Sequence, residues 1–368
     1  MAWLEGRATP EGTERFVRRA VSSRHLPEEH FRPAPGGLAL SSLGLGTYLG
    51  PADAATDHAV EQAVAICLTS GRVNVLDTAI NYRMQRAERS VGRAVRRLLE
   101  HGDAARDELF VATKVGYLAP DAEAGLPPQR WVQQELVDSG VLDPTDLVDG
   151  SNAMSPAYLR DQVERSRRNL GLGSLDLLYL HNVADAQIPV VGPTEFETRL
   201  EKAFTLLESL RAAGKLGSYG LATWDCLRTS PDAPGHFDLE RAVRLAESVG
   251  GKDHGFRFVQ FPFNLTMPEA AAARTQRVGS ARVSVFEAAQ TLHLGVFTSV
   301  PLLQGRLARH GPRRGGLTPA QTAVQFARSA PGTIGPLIGQ KRAEHLSENL
   351  EVAAHPAWDA ATFDSLLK

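Results

Sequence analysis

VNVLDTAINYRMQRAERSVGRAVRRLLEH, Val73–His101, contains one complete unit of the fold. Its first part, Val73–Ala79, is a short apolar run without the polar alternation of a half-wet strand, so it reads as a strand buried on both faces. Its second part, Arg86–His101, is a longer amphipathic stretch and reads as a helix. The same alternation extends in both directions. Further strand-like runs are Leu38–Leu49, Leu109–Val115, Asp176–Val183, Tyr219–Trp224, Phe258–Asn264, Gly295–Val300 and Thr333–Gly339. Between them lie helix candidates at Ala54–Ser70, Pro156–Leu170, Thr194–Ala213, Asp238–Val249, Ala281–Leu294, Pro319–Ser329 and Arg342–Ala353. Leu200, Ala203, Phe204, Leu207 and Leu210 form one apolar stripe at helical spacing. Ser155 before Pro156 and Thr318 before Pro319 are helix-start signals, and Gly71 and Gly214 are stop signals.

Eight strands alternating with eight helices predict an all-parallel sheet. An open doubly wound sheet would carry a glycine-rich phosphate turn after its first strand. Here Gly44 and Gly46 are followed by Thr47 with no third spaced glycine, which favours a closed (β/α)8 TIM barrel over residues 38–353. Three segments stand outside the rhythm. Residues 1–37 form an N-terminal extension with a short amphipathic stretch near Glu14–Val21. Residues 116–154 form a long, proline-containing, acidic insert after the third strand, placed as a lid over the barrel top. Residues 354–368, with Trp358, Phe363 and Leu366, read as a C-terminal tail helix.

The chain has 368 residues, where one such barrel needs about 250, leaving room for these extras without a second domain. Lys and Arg total 40 against 42 Asp and Glu, a balance that argues against a nucleic-acid surface built on net basicity. Two cysteines, Cys67 and Cys226, exclude a disulfide framework or a cysteine-rich zinc site and suit a reducing cytoplasm. The charged N-terminal residues do not read as a secretion signal, and no apolar run is long enough for a membrane span, so a cytoplasmic protein without a membrane partner is expected.

In a βα barrel the chemistry lies at the C-terminal ends of the strands. The second strand ends in Asp77, with Tyr82 in the following loop; the third ends in Lys114 and the fourth in His181, followed by Asn182. Adjacent parallel strands lie about 4.8 Å apart, so these side chains can converge. Taken singly, an Asp at a strand end is a common cap, a loop Tyr is usually packing, and a buried His is usually just satisfied. Lys114 is harder to dismiss, because a Lys following a buried strand needs a partner. Together the four suit the reduction of a carbonyl. Tyr82 can protonate the developing oxyanion if Lys114 lowers its pKa, Asp77 keeps Lys114 charged, and His181 can hold the oxygen.

These residues resemble the aldo-keto reductases. The resemblance rests on LDTAINYRMQRAERSVG (Leu76–Gly92), ATKVG (Ala112–Gly116) and DLLYLHN (Asp176–Asn182). It continues through GLGTYLG (Gly44–Gly50), KLGSYGLATW (Lys215–Trp224), FVQFPFN (Phe258–Asn264), SVPLLQGRL (Ser299–Leu307) and LIGQKRAEHLSENLE (Leu337–Glu351). It implies a metal-free NADPH-dependent enzyme that reduces a small aldehyde or ketone, with Asp77, Tyr82, Lys114 and His181 catalytic. The implied cofactor residues are Asn182 and Gln260 at the nicotinamide carboxamide, and Leu302, Gln304, Gly305 and Leu307 along the pyrophosphate. Lys341, Arg342 and His345 would face the 2′-phosphate, and Glu348 and Asn349 the adenine. Gly46, Thr47, Thr223, Ser299 and Gly339 complete the implied cofactor set, and Tyr48 and Trp224 would line the substrate pocket. A cationic pair opening a helix is by itself suited to phosphate.

The sequence departs from the family pattern in places. Arg83 stands where a glycine usually follows the tyrosine, Glu88 lies six residues after Tyr82 rather than four, Ala222–Thr223 replace Ser-Asn, and Ser299 replaces an aromatic. Arg83, Arg86 and Arg89 read as a solvated helix face, or, for Arg83, as a contact to an anionic substrate. Two other readings stand beside the reductase: alcohol oxidation or a redox-neutral step at the same site, and a non-catalytic NADPH-binding regulatory subunit.

Overall fold

A computed structural model describes residues 2–367. Eight parallel strands close into a barrel: β1 (Gly44–Gly46), β2 (Val75–Asp77), β3 (Phe110–Val115), β4 (Leu175–His181), β5 (Leu216–Ala222), β6 (Phe256–Pro262), β7 (Gly295–Ser299) and β8 (Thr333–Gly339). Each pairs with its neighbours in sequence, and β8 closes onto β1 through Leu337↔Gly44 and Gly339↔Gly46. The helices between them are α1 (Ala54–Thr69), α2 (Arg86–His101), α3 (Pro156–Leu170), α4 (Val183–Ala212), α5 (Leu239–Gly250), α6 (Val285–Thr291), α7 (Pro319–Arg328) and α8 (Ala343–Leu350).

The barrel is filled by inward side chains, including Val75, Phe110, Leu177, Tyr179, Phe258, Phe297 and Leu337. The rings of Phe110, Phe258 and Phe297 meet at centroid distances of 5.4–6.2 Å. A larger apolar layer joins the strands to the helices; the expected stripe Leu200, Ala203, Phe204, Leu207 and Leu210 is buried in it, as is Cys67. Gly220 on β5 is required by close approach, since a Cβ there would lie 2.1 Å from the Phe258 carbonyl oxygen.

Several segments differ from the sequence reading. Leu38–Leu49 is not one strand. Leu38–Ser41 folds back on Phe31–Ala34 as an antiparallel hairpin, because Gly36 and Gly37 take positive φ (79° and 76°) and turn the chain. Leu40 enters the barrel's inner cluster from the N-terminal end, so this hairpin closes the bottom of the barrel, and the extension runs through Ser41 rather than ending at residue 37. The stretch near Glu14–Val21 belongs to a longer helix, Pro10–Arg24, capped by Thr9. Ala281–Val283 is a strand, not a helix start; it pairs with Gln276–Val278, and the helix begins only after Ser284, which forms a capping box with Glu287. α4 starts at Val183 instead of Thr194 and is broken at Gly192 (φ 80°, ψ 162°) between Pro189 and Pro193. In the tail, the helix is confined to Ala360–Asp364.

The two ends of the insert zip together, Leu118 N–H to Ser151 C=O (2.8 Å) and Ala153 N–H to Gly116 C=O (2.9 Å). Its middle builds a small cluster of Trp131, Leu136 and Leu142 against Tyr158 of α3. Arg165 of α3 covers the Trp131 ring at 5.0 Å.

Candidate active site

The tops of β2, β3 and β4 bring Asp77, Lys114 and His181 together as their register requires, with Asp77 beside Ala112, Lys114 beside Tyr179 and His181 beside Ala222. Lys114 is fully buried. Its ammonium donates to Asp77 Oδ1 at 2.5 Å and to the Thr78 carbonyl at 2.9 Å. Gln260 Nε2 donates to the other Asp77 oxygen at 3.1 Å, and the Thr47 hydroxyl donates to the Asp77 carbonyl at 3.1 Å. The carboxylate is thereby held from β3 and β6, and the Asp77 main chain from the residue that follows β1. Lys114 Nζ lies 4.9 Å from the Tyr82 ring centroid. The Tyr82 ring meets His181 edge-on at 5.8 Å and Tyr48 at 5.0 Å.

Burial is the largest influence on each titratable group. For Lys114 it would lower the pKa, but the Asp77 carboxylate and Tyr82 together outweigh it and hold the ammonium above its ordinary value. Asp77 is pushed up by burial, with Lys114 pulling back. Burial and the Lys114 charge drive His181 well below the usual imidazole value, so it is neutral near pH 7, and its Nδ1 has no protein partner. Tyr82 corrects the sequence expectation. Burial raises its pKa above 10 despite the opposing pull of Lys114, so its phenol keeps its proton.

These residues sit on a cavity of about 350 Å³ that adjoins a second of about 310 Å³. The first is lined by Asp77, Tyr82 and His181 and by the expected Asn182, Thr223, Gln260 and Ser299. Tyr48 and Trp224 also line it, 55% and 42% exposed, which places them at its rim. Gly46, Thr47, Leu302, Gln304, Gly305 and Gly339 line both cavities. Lys341, Arg342, His345, Glu348 and Asn349 line the second. Leu307 is the exception: its side chain is buried away from both, because the helical turn that follows Gly305 directs it inward.

The second cavity carries a clear charge signature. Among the described residues Lys341, Arg342 and Arg309 enter no ion pair, and Lys341 Nζ reaches only the Leu49 carbonyl at 3.3 Å. A Cβ at Gly50, where φ is +119°, would lie 2.9 Å from that ammonium. Asn349 Oδ1 is buried without a partner. Unpaired cations and an orphaned acceptor fit a phosphate-bearing, hydrogen-bonding heterocycle.

The arginines after Tyr82 are drawn into ion pairs, and none of them lines the cavity. Arg83, with its side chain 1% exposed, donates to Asp57 Oδ1 at 2.5 Å; Arg86 binds the other Asp57 oxygen, and Arg89 pairs with Asp121. The two extra residues of this loop are taken up by a left-handed turn, with φ of 51° at Arg83, 51° at Met84 and 72° at Gln85. The insert is no lid over the cavity: of its residues only Tyr117 lines the wall, edge-on to His181 at 5.0 Å, because the remainder folds against α3. Tyr117, Asn81, Arg309 and Gln340 were missed as lining residues. Tyr117 was signalled only by its place three residues after Lys114.

Tyr82, Asp77 and a neutral His181 thus share one cavity floor at the top of a closed barrel, above the buried Lys114, and among the described residues no cluster of His, Cys, Asp and Glu is arranged to hold a metal ion. Residues 42–233 match the family model of the aldo/keto reductases, and the chain belongs to that family. It is 28% identical over 216 residues to D-threo-aldose 1-dehydrogenase from a Pseudomonas species, covering 58% of this chain and 56% of that protein, so it matches little more than half the length of that relative. It is similar in fold to an aldo/keto reductase from Klebsiella pneumoniae solved with NADP and acetate (TM-score 0.59, 19% identity, 92% of this chain and 94% of that one). A holo aldo-keto reductase from Bacillus halodurans gives a TM-score of 0.61 at 17% identity, over 91% of this chain and 94% of that one.

Proposed function

We propose that the protein is an NADPH-dependent reductase of small aldehydes or ketones. The observation that carries this reading is the set Tyr82, Asp77 and His181, with Lys114 buried beneath them, on the floor of a cavity that opens into a second cavity edged by unpaired cations. Support for the cofactor comes from the fit of the second cavity and from the relatives solved with NADP or NADPH. NADPH, when bound, supplies the hydride.

The chain's own residues supply the rest. Neutral His181 donates a hydrogen bond to the carbonyl oxygen and fixes its direction. Tyr82, whose proton is retained at neutral pH, gives that proton to the same oxygen as charge develops there. The Lys114 ammonium, locked to Asp77, stabilises the tyrosinate left behind. Asn182, Thr223 and Gln260 orient the nicotinamide end, and Leu302, Gln304 and Gly305 run along the pyrophosphate. Lys341, Arg342 and His345 take the 2′-phosphate, Glu348 and Asn349 the adenine. Tyr48 and Trp224 border the substrate.

Tyr82→Phe tests the reading. Losing the proton donor should cost about 10²–10⁴ in kcat, with NADPH affinity, measured by fluorescence titration, staying within about threefold. A variant that keeps most of its turnover refutes the mechanism, and wild-type protein that binds NADPH but consumes it with no carbonyl favours the regulatory reading.

The relative named as a dehydrogenase favours one second reading, oxidation of a sugar hydroxyl at the same site. In that direction Tyr82 must first lose its proton, so oxidation would accelerate as pH rises while reduction would not.

A further inference from the structure

The peptide joining His181 to Asn182 is pinned on both sides. Its N–H, on Asn182, donates to the Ala222 carbonyl of β5 at 2.6 Å. Its C=O, on His181, accepts from Nδ2 of Asn152 at 3.2 Å. Asn152 belongs to the insert, not to the barrel, and is fully buried. Its own orientation is set by a polar relay: Gln187 Nε2 donates to Asn152 Oδ1 at 3.1 Å, and Arg199 donates to Gln187 Oε1 at 3.0 Å. The main chain of Asn152 is held as well, by reciprocal bonds with Val148 and a bridge to Tyr117. The residue it steadies, Asn182, has a left-handed backbone (φ 50°, ψ 28°), which asparagine tolerates better than other non-glycine residues but which its neighbours here hold in place.

We propose that Asn152 is a positioning residue: through the 181–182 peptide it fixes the direction of the His181 ring and of the Asn182 carboxamide. The inference rests on the reading of His181 as the group that holds the substrate oxygen. A buried amide costs free energy unless all its bonds are made, and a barrel loop could be closed with apolar residues alone. Here the amide's donor is spent on the one peptide whose rotation would swing His181 away from Tyr82. The insert therefore braces the site from behind, with Tyr117 as the only part that reaches the cavity.

Asn152→Asp keeps the shape and removes the donor. As a carboxylate, residue 152 would repel the His181 carbonyl oxygen; once protonated, its O–H restores the bond, and burial brings that protonation up toward neutral pH. The titratable and charged groups facing this point are His181, Tyr117 and, through Gln187, Arg199 with Glu195; wild type has all of them, so its pH profile is the baseline. Expected is a kcat per NADPH-binding site about tenfold below wild type near pH 8, recovering to within about threefold near pH 6. A variant-to-wild-type ratio that does not change with pH, whether near one or uniformly low, overturns the assignment. If N152D lacks the wild-type circular dichroism spectrum, Gln187→Leu carries the test: it frees the Asn152 amide and should lower kcat about threefold, and an unchanged kcat overturns the assignment. The His181 ring carbon resonance in cofactor-free protein, assigned with His181→Gln, should move in whichever variant folds; an unmoved resonance also overturns it. Wild-type protein that turns over neither aldehydes nor ketones refutes the reductase reading itself, and the His181 resonance then still decides whether Asn152 positions that ring.

Discussion

Asp57→Asn is the perturbation with the widest consequences outside the cavity. Asp57, in the first turn of α1, has its side chain 7% exposed and receives Arg83 at 2.5 Å, Arg86 at 2.5 and 3.0 Å and the Ser90 hydroxyl at 3.1 Å. Removing one partner of a buried pair leaves the other charge uncompensated, at a cost of about 3–5 kcal/mol; Asn can still accept from one arginine, so we expect about 3 kcal/mol. At about 2.1 cal/mol/K of unfolding entropy per residue, a 368-residue chain should then lose about 4 °C in Tm. Activity should fall as well. Each left-handed residue from Arg83 to Gln85 costs about 1–2 kcal/mol, and the Arg83–Asp57 pair is what holds the turn directly after Tyr82. Thermal unfolding and urea titration, with kcat measured on the folded variant, test both effects. The double variant Asp57→Leu with Arg83→Met, which leaves no buried charge at position 83 and leaves Arg86 with Glu123 at 3.4 Å, should recover part of the stability lost by Asp57→Asn. A D57N protein within about 1 °C of wild type, where about 4 °C is expected, would refute the claim that this pair sustains the turn.

Lys341→Ala should weaken NADPH binding about tenfold and leave NADH nearly unchanged, because only NADPH carries the 2′-phosphate; equal changes for both cofactors, measured by fluorescence titration, would place the phosphate elsewhere. Acid should release the N-terminal helix before the barrel. Burial acts to raise the pKa of Glu108, but Arg19 at 2.8 Å and Arg15 at 3.0 Å outweigh it and hold the carboxyl below its ordinary value. A depressed carboxylate contributes stability that is fully present above the unfolded pKa, about 4.3, and lost as pH falls through the folded one. Amide protection factors across Pro10–Arg24, normalised to the intrinsic exchange rate at each pH, should therefore fall in that window in wild type but be low at all pH values in Glu108→Gln; equal profiles in the two proteins would contradict this.

The barrel and the meeting of Asp77, Tyr82, Lys114 and His181 at its top were legible in the sequence because both follow from simple periodicities. A buried parallel strand is a run of apolar residues, and its C-terminal end is where the first polar residue appears, so Asp77, Lys114 and His181 could be located by reading each run to its end. The pieces that were misread depend on contacts distant in sequence. Leu38–Ser41 has the apolar character of a barrel strand and becomes a hairpin because Gly36 and Gly37 allow the turn and Leu40 finds the barrel mouth. Arg83 looks like a surface residue until Asp57, 26 residues earlier, is seen to receive it. The direction of the Tyr82 pKa needs the depth of burial as well as the nearby Lys114, and burial depth is a property of the whole cavity.

The site thus has two origins within one chain. The strands set where the charged atoms are, and their spacing leaves little freedom: Lys114 has one carboxylate within reach, that carboxylate is held by Gln260, and the Asp77 main chain is held by Thr47. Tyr82 and Asn182 lie beyond the strand ends: Tyr82 is followed by left-handed backbone at Arg83, and Asn182 is itself left-handed. Each is steadied from outside the barrel, Tyr82 by the ion pair from α1 and the His181–Asn182 peptide by the insert. Such supports carry no functional signature of their own in sequence, because Asp57 and Asn152 are chosen to fit one local geometry and not to take part in the reaction. Substitutions at these two positions should therefore alter turnover through the placement of Tyr82 and His181, while Lys114, Asp77 and the cations of the second cavity stay where the strands put them.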